Sequence, residues 1–157
     1  MAPAAHAAGV DIVCAVGSEH ASYDPPLTNA PRSTDITETE NFGCTSLTTG
    51  VSSGTAAFSR TRDVSCLLVL TPPHTVTSET YAWNTGQSST VTYVSTTAAR
   101  AADGSTVVTA LGSVTSGFGQ GSAVTKVVVE PQPSLTACAT TGLQSTNGTA
   151  SLAVAPV

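Results

Sequence analysis

Along most of the chain, apolar and hydroxylated residues alternate with a period of two, and the 3.6-residue spacing of a helix is almost missing. The alternation predicts eight strands: Val10–Val16, Ser33–Glu40, Gly54–Val64, Val76–Trp83, Ser88–Thr97, Ser105–Thr115, Ala123–Glu130 and Thr146–Ala155. Between them lie "DPPLTNAP", "TPPH", "NTGQ", "ADGS", "SGFGQGS", "EPQPS" and "STNGT". Each carries Pro, Gly, Asn or Asp, the residues that let a chain reverse. The run "CLLVL" at Cys66–Leu70 fits a strand end or a helical turn equally well. Short strands with regular turns predict an all-β fold, an antiparallel β-sandwich of the Ig-like or jelly-roll-like kind. From Val76 onward the short connections suggest a meander.

The stretch "YAWNTGQSSTVTYV" fixes its own register. A type I turn with Gly86 in the left-handed conformation makes a three-residue loop with a bulge. Trp83 then faces Gln87, Tyr81 faces Ser89, and Glu79 faces Val91. One face carries Glu79, Tyr81, Trp83, Val91 and Tyr93, and the other Thr80, Ala82, Thr90, Thr92 and Val94. Large apolar side chains normally face the second sheet, so Tyr81 and Tyr93 are expected in the core. Trp83, beside the turn, is expected near the rim, partly exposed and available as a stacking surface for a ligand.

Composition sharpens this picture. A chain of 157 residues suits one domain. We read residues 9–157 as that domain and residues 1–8 as a signal-peptide remnant or flexible terminus, because Ala5-His6-Ala7 has the A-x-A pattern found before signal-peptidase cleavage. Charged residues make up only 10% and hydrophobic ones 40%, which favours a folded chain over disorder. Ser and Thr supply roughly three residues in ten, and Thr suits strands. With five Lys and Arg and a net charge of −5, the chain has no basic footprint for nucleic acid. No apolar run reaches the roughly 20 residues of a membrane-spanning helix. Four cysteines without C-x-x-C spacing speak for two disulfides in an exported protein and against zinc.

Candidate chemistry is sparse. His6, His20 and His74 lack a nucleophile elbow or other catalytic context, so no enzyme activity, catalytic residue or cofactor is expected. The Gly-rich "TSGFG" does not stand between a strand and a helix and forms no phosphate cradle. Asp35, Glu38 and Glu40 form the densest acidic group; Glu38 and Glu40 share one strand face and Asp35 takes the other. That group reads as a solvated strand face, with no metal site. The T-x-T arrays in "TDITET" and "STVTYVSTT" follow from strand propensity. Arg32, between Pro31 and Ser33 in a Pro-rich segment, is a candidate bait residue for a protease.

Several pieces, "CAVGSEHASYDPPLT", the cysteine of "NFGCTS", "RDVSCLLVL", "YAWNTGQSSTVTYV", "STVVTALGSVTSGFGQGSAV", "LTACATTG" and "NGTASLAV", resemble a group of small secreted actinobacterial β-rich proteins of uncharacterised function, with four cysteines and a WNTG turn. The resemblance implies export and a β fold, and no activity. Four cysteines allow three pairings. Cys14–Cys44 with Cys66–Cys138 is preferred, the first closing the Pro-rich opening segment and the second tying "SCLLVL" to "LTACAT". The expected protein is a secreted, extracellular binding domain for a glycan or another protein. The alternatives are a protease inhibitor using Pro31–Arg32–Ser33 and a structural subunit that pairs an edge strand. Oligomeric state is left open.

Overall fold

The structure, a computed structural model, describes residues 9–66 and 77–157. Eight antiparallel strands follow one another in chain order: β1 Ile12–Leu27, β2 Arg32–Thr45, β3 Ser53–Val64, β4 Thr77–Trp83, β5 Ser88–Arg100, β6 Thr106–Gly117, β7 Ala123–Glu130 and β8 Leu143–Ala155. β8 pairs with β1, from Ile12↔Val154 to Leu27↔Leu143, and closes the sheet into a barrel. This corrects the expected sandwich, while the all-β class and the second-half meander stand. A sandwich and an up-and-down barrel share the same in–out alternation along each strand. They differ in strand order and in the pairing of first and last strands, which no local pattern encodes.

The first half carries more strand than its apolar pattern indicated. β1 continues through "SEHASYDPPL", with Glu19, Ala21, Tyr23 and Leu27 inside and His20, Ser22 and Asp24 outside. The alternation is intact there, but one inward position is a glutamate, which hides it from a hydrophobic reading. β2 likewise runs on through Glu40 and Phe42 to Thr45. Among the described residues one helix forms, α1 Leu135–Ala139 in "LTACAT"; Ser134 caps it by accepting the Ala137 N–H. Residues 67–70 of "CLLVL", with Val76, His74 and the "TPPH" turn, lie outside the described residues, as does His6.

The NTG turn forms as its residues dictate. Gly86 has φ +87°, the Trp83 N–H donates to the Gln87 carbonyl at 2.9 Å, and the Gly86 N–H returns to the Trp83 carbonyl at 3.0 Å. Glu79 pairs with Val91 and Tyr81 with Ser89, as the hairpin register requires.

The interior has three levels. At one end Ile12, Cys14, Phe42, Tyr81, Trp83, Tyr93, Val124 and Leu152 pack as the larger apolar cluster. At the other, Ala21, Tyr23, Leu27, Ile36, Val64, Cys66 and Cys138 form a smaller one. Each end holds one disulfide, Cys14–Cys44 and Cys66–Cys138. Between the two clusters lie the buried charged residues Glu19, Glu40, Glu79, Lys126 and Glu130.

Candidate functional site: a charged belt inside the barrel

The belt follows from strand alternation applied to residues that look like surface residues. On β2, Glu38 and Glu40 point inward between Ile36 and Phe42; Asp35 points out and accepts from Thr61 Oγ1 at 2.7 Å. The shared facing of Glu38 and Glu40 is as expected, but the expected solvated strand face is corrected. Glu40 is 1% exposed, so the acidic pair is an interior feature. Closure of the barrel enclosed it, and two cations compensate it: Arg60 from the neighbouring β3 and Lys126, 86 residues from Glu40, from β7.

Lys126, on β7, is the centre. Its ammonium donates to Glu79 Oε2 at 2.6 Å and to Glu40 Oε1 at 3.3 Å, and lies 3.2 Å from Glu40 Oε2 without hydrogen-bond alignment. It sits 5.3 Å from the centroid of the Phe58 ring and 5.2 Å from that of Tyr93. Arg60, on β3, spans Glu38 Oε2 at 3.2 Å and Glu79 Oε1 at 3.5 Å, with its guanidinium over Phe58. The Tyr81 hydroxyl donates to Glu79 Oε2 at 2.8 Å and lies 2.7 Å from the Tyr93 hydroxyl, which is placed to donate to it in turn.

A second acid pair adjoins this group. Glu19 on β1 and Glu130 on β7 are buried close enough to bear on each other's protonation, with Thr146 beside Glu130. The Tyr23 hydroxyl lies 2.9 Å from Thr146 Oγ1. Gly148, opposite Glu19 in the β1–β8 register, leaves the space they occupy. A Cβ there would stand 3.1 Å from Glu130 Oε2 and 2.6 Å from the Val129 carbonyl. Glu130 Oε2 and Thr106 Oγ1, from paired residues of β7 and β6, are buried without a hydrogen-bond partner among the described residues.

Burial sets the protonation of the belt. Removal from water, with the charges of Glu38 and Glu130 added, pushes Glu19 up to about 10, so it carries a proton at neutral pH. Burial also lifts Glu40, against the pull of Lys126, to about 7. Glu38 and Glu130 rise for the same first reason. Burial works against the Lys126 ammonium, but the carboxylates of Glu40 and Glu79 outweigh it and its pKa rises. Arg62, at the edge of the belt, is lowered by burial and by Arg60.

The residues singled out on sequence grounds are dispersed. Trp83 is not at an open rim: it is 5% exposed, stacked at 5.9 Å on Tyr81, laid over Gly54, and its indole N–H donates to Ser89 Oγ at 2.8 Å. Its ring offers no stacking surface. Arg32 begins β2, pairs with Val64, and its guanidinium donates to the Pro26 carbonyl. The Cys14–Cys44 bridge lies at the opposite end of the β1–β2 hairpin. It is Cys66 that braces the turn, its N–H donating to the Thr28 carbonyl at 2.8 Å. His20 is exposed on β1, with Nδ1 2.7 Å from Asn147 Oδ1. Among the described residues, no three His, Cys, Asp or Glu side chains converge to hold a metal ion, and no helix is long and apolar enough to cross a membrane.

Outside, the β4–β6 face carries paired hydroxyls: Ser78 with Thr92 at 3.1 Å, Thr80 with Thr90 at 3.1 Å, and Thr92 with Thr115 at 3.0 Å. At the Cys14–Cys44 end, Asp11, Val13, Thr45, Ser46 and Leu47 line a surface hollow of about 290 Å³. Leu47 is 97% and Val13 46% exposed. Comparison with protein-family models, curated proteins and solved structures found no match to this chain.

Proposed function

We propose that this chain is a secreted interaction domain that binds an extracellular protein or glycan through the end of the barrel closed by Cys14–Cys44. The observation that carries this reading is the hollow between Val13 and Leu47. Apolar side chains exposed beside a polar-rimmed depression are what a partner surface needs, and a disulfide-braced frame lowers the ordering cost of binding. Two disulfides fit an oxidising compartment. No role toward an external substrate is assigned to the belt, because its groups are enclosed. The test is a screen of the native protein against extracellular proteins and a glycan array, followed by Val13→Asp and Leu47→Asp. Loss of binding with an unchanged unfolding midpoint supports the site, and a hit indifferent to both substitutions moves the contact elsewhere.

A protease-inhibitor role has one observation in its favour: the turn before Arg32 is held by Cys66. Inhibition of a trypsin-like enzyme, abolished by Arg32→Ala and by reduction, is its test. Rapid cleavage after Arg32 without inhibition ends it. Assembly through an edge strand gains less support, since barrel closure occupies strand edges.

A further inference from the structure

The contact between Lys126 and Glu79 spans the barrel. The residues are 47 positions apart on β7 and β4, which are not neighbours in the sheet. We propose that Lys126 and Glu79 join in an intramolecular isopeptide bond, formed by the folded chain on itself, with Glu40 moving the protons.

Four features of the site support this. The first is approach: Nζ lies 2.6 Å from Glu79 Oε2, so the carboxyl carbon, one bond further, is at most about 3.9 Å away, a short movement from the roughly 3–3.5 Å of a near-attack arrangement. The second is a base. Glu40 contacts the same ammonium at 3.2 and 3.3 Å through its two oxygens, yet one of them has no aligned hydrogen bond. The third is polarisation of the acceptor: Tyr81 donates to Oε2 and Arg60 stands 3.5 Å from Oε1, where negative charge gathers as the carbon becomes tetrahedral. The fourth is the setting: the Phe58 and Tyr93 rings lie against Nζ, and burial of Lys126, Glu79 and Glu40 keeps bulk solvent from the reacting atoms.

The step balances without a co-reactant. Glu40 takes a proton from the Lys126 ammonium, and the freed amine attacks the Glu79 carboxyl carbon. The N–C bond forms, and the C–O bond to Oε2 breaks. Two of the three ammonium protons leave with that oxygen as water, relayed by Glu40, and the third stays on the amide. One positive and one negative charge vanish together, which removes two charges from an interior where each is costly. Glu79 is the acceptor because it is nearer than Glu40 and carries the Tyr81 and Arg60 contacts. The proposal is independent of any external ligand.

The test is the intact mass of the native protein after incubation at neutral pH, then denaturation and full reduction of both disulfides. A deficit of one water, about 18 Da, is expected, with proteolysis giving a branched peptide that joins Glu79 to Lys126. Lys126→Met and Glu40→Gln should each restore the full mass, the second while leaving both bonding residues in place. Full mass in the unmutated protein overturns the proposal, as does a deficit mapped to another pair. The unmutated measurement decides even where a variant does not fold.

Discussion

Single residues in this barrel do two kinds of work, and Tyr81 does both. Its ring is fully enclosed between Phe42 and Trp83, at 6.0 and 5.9 Å, and its hydroxyl reaches Glu79. Tyr81→Ala should lower stability by about 3–5 kcal/mol, as for other large aromatic truncations in cores. Tyr81→Phe should cost less, about 1–3 kcal/mol, because the packing stays and only a buried carboxylate loses a donor. Urea unfolding under oxidising conditions measures both, and equal costs would mean that the hydroxyl, not the ring, dominates. The inward facing of Tyr81, Tyr93 and Glu79 was legible from strand parity and one turn. The depth of Trp83 was not, because it depends on Gly54 of a strand far earlier in sequence lying beneath the indole.

At the scale of elements, the β4–β5 hairpin is the most self-contained piece. Its register comes from the NTG turn, and Gly86 meets nothing within 4 Å of where a Cβ would stand. Gly86→Ala therefore tests backbone strain alone, and should cost about 1–2 kcal/mol for holding a non-glycine residue at positive φ. A neutral result in thermal unfolding would show that the turn relaxes to another type. β1 and β2 stand at the opposite extreme. Their inward glutamates look like surface residues until the barrel places Lys126 and Arg60 against them, so element length was underestimated where the interior is charged. In β7, where apolar residues predominate, Ala123–Glu130 was bounded as the structure has it.

For the whole molecule, the belt predicts how stability varies with pH. Glu19 has a folded pKa of about 10 against an ordinary 4.5, and Glu40 about 7. Raised values mean that the folded state binds more protons than the unfolded chain between those limits. This contribution is fully present below about 4.5 and is lost as pH rises, first through Glu40 near 7 and then through Glu19 near 10. Chemical denaturation across that range should show stability falling as pH rises, and Glu19→Gln should flatten the slope. A curve rising with pH would contradict the protonated state of Glu19. The disulfides act at the same scale. The chain-entropy argument gives about 4.4 kcal/mol for the 72-residue separation of Cys66–Cys138 and about 3.6 kcal/mol for the 30 of Cys14–Cys44. Replacing the first pair by Ser should therefore lower the unfolding free energy more than replacing the second, and native thiol titration should find no reactive cysteine. The reverse order would point to native-state strain or residual structure in the unfolded chain.

By itself, the sequence determined the local geometry: a β chain, its turns, the hairpin register and the side of each strand on which a residue lies. These follow from interactions within a few residues, where side-chain parity and the φ preferences of Gly and Pro leave little choice. The preferred cysteine pairing coincides with the structure, from the reasoning that each bridge spans a segment needing closure. Only the tertiary structure decided that the eight strands close on themselves, and therefore that Glu19, Glu38, Glu40, Glu79 and Glu130 share an interior with Lys126 and Arg60. That decision depends on β1 meeting β8 across more than a hundred residues. A charge is tolerable inside only when its partner arrives with it; Arg60 comes from the strand between β2 and β4, but Lys126 comes from β7, which nothing in the local pattern brings to them.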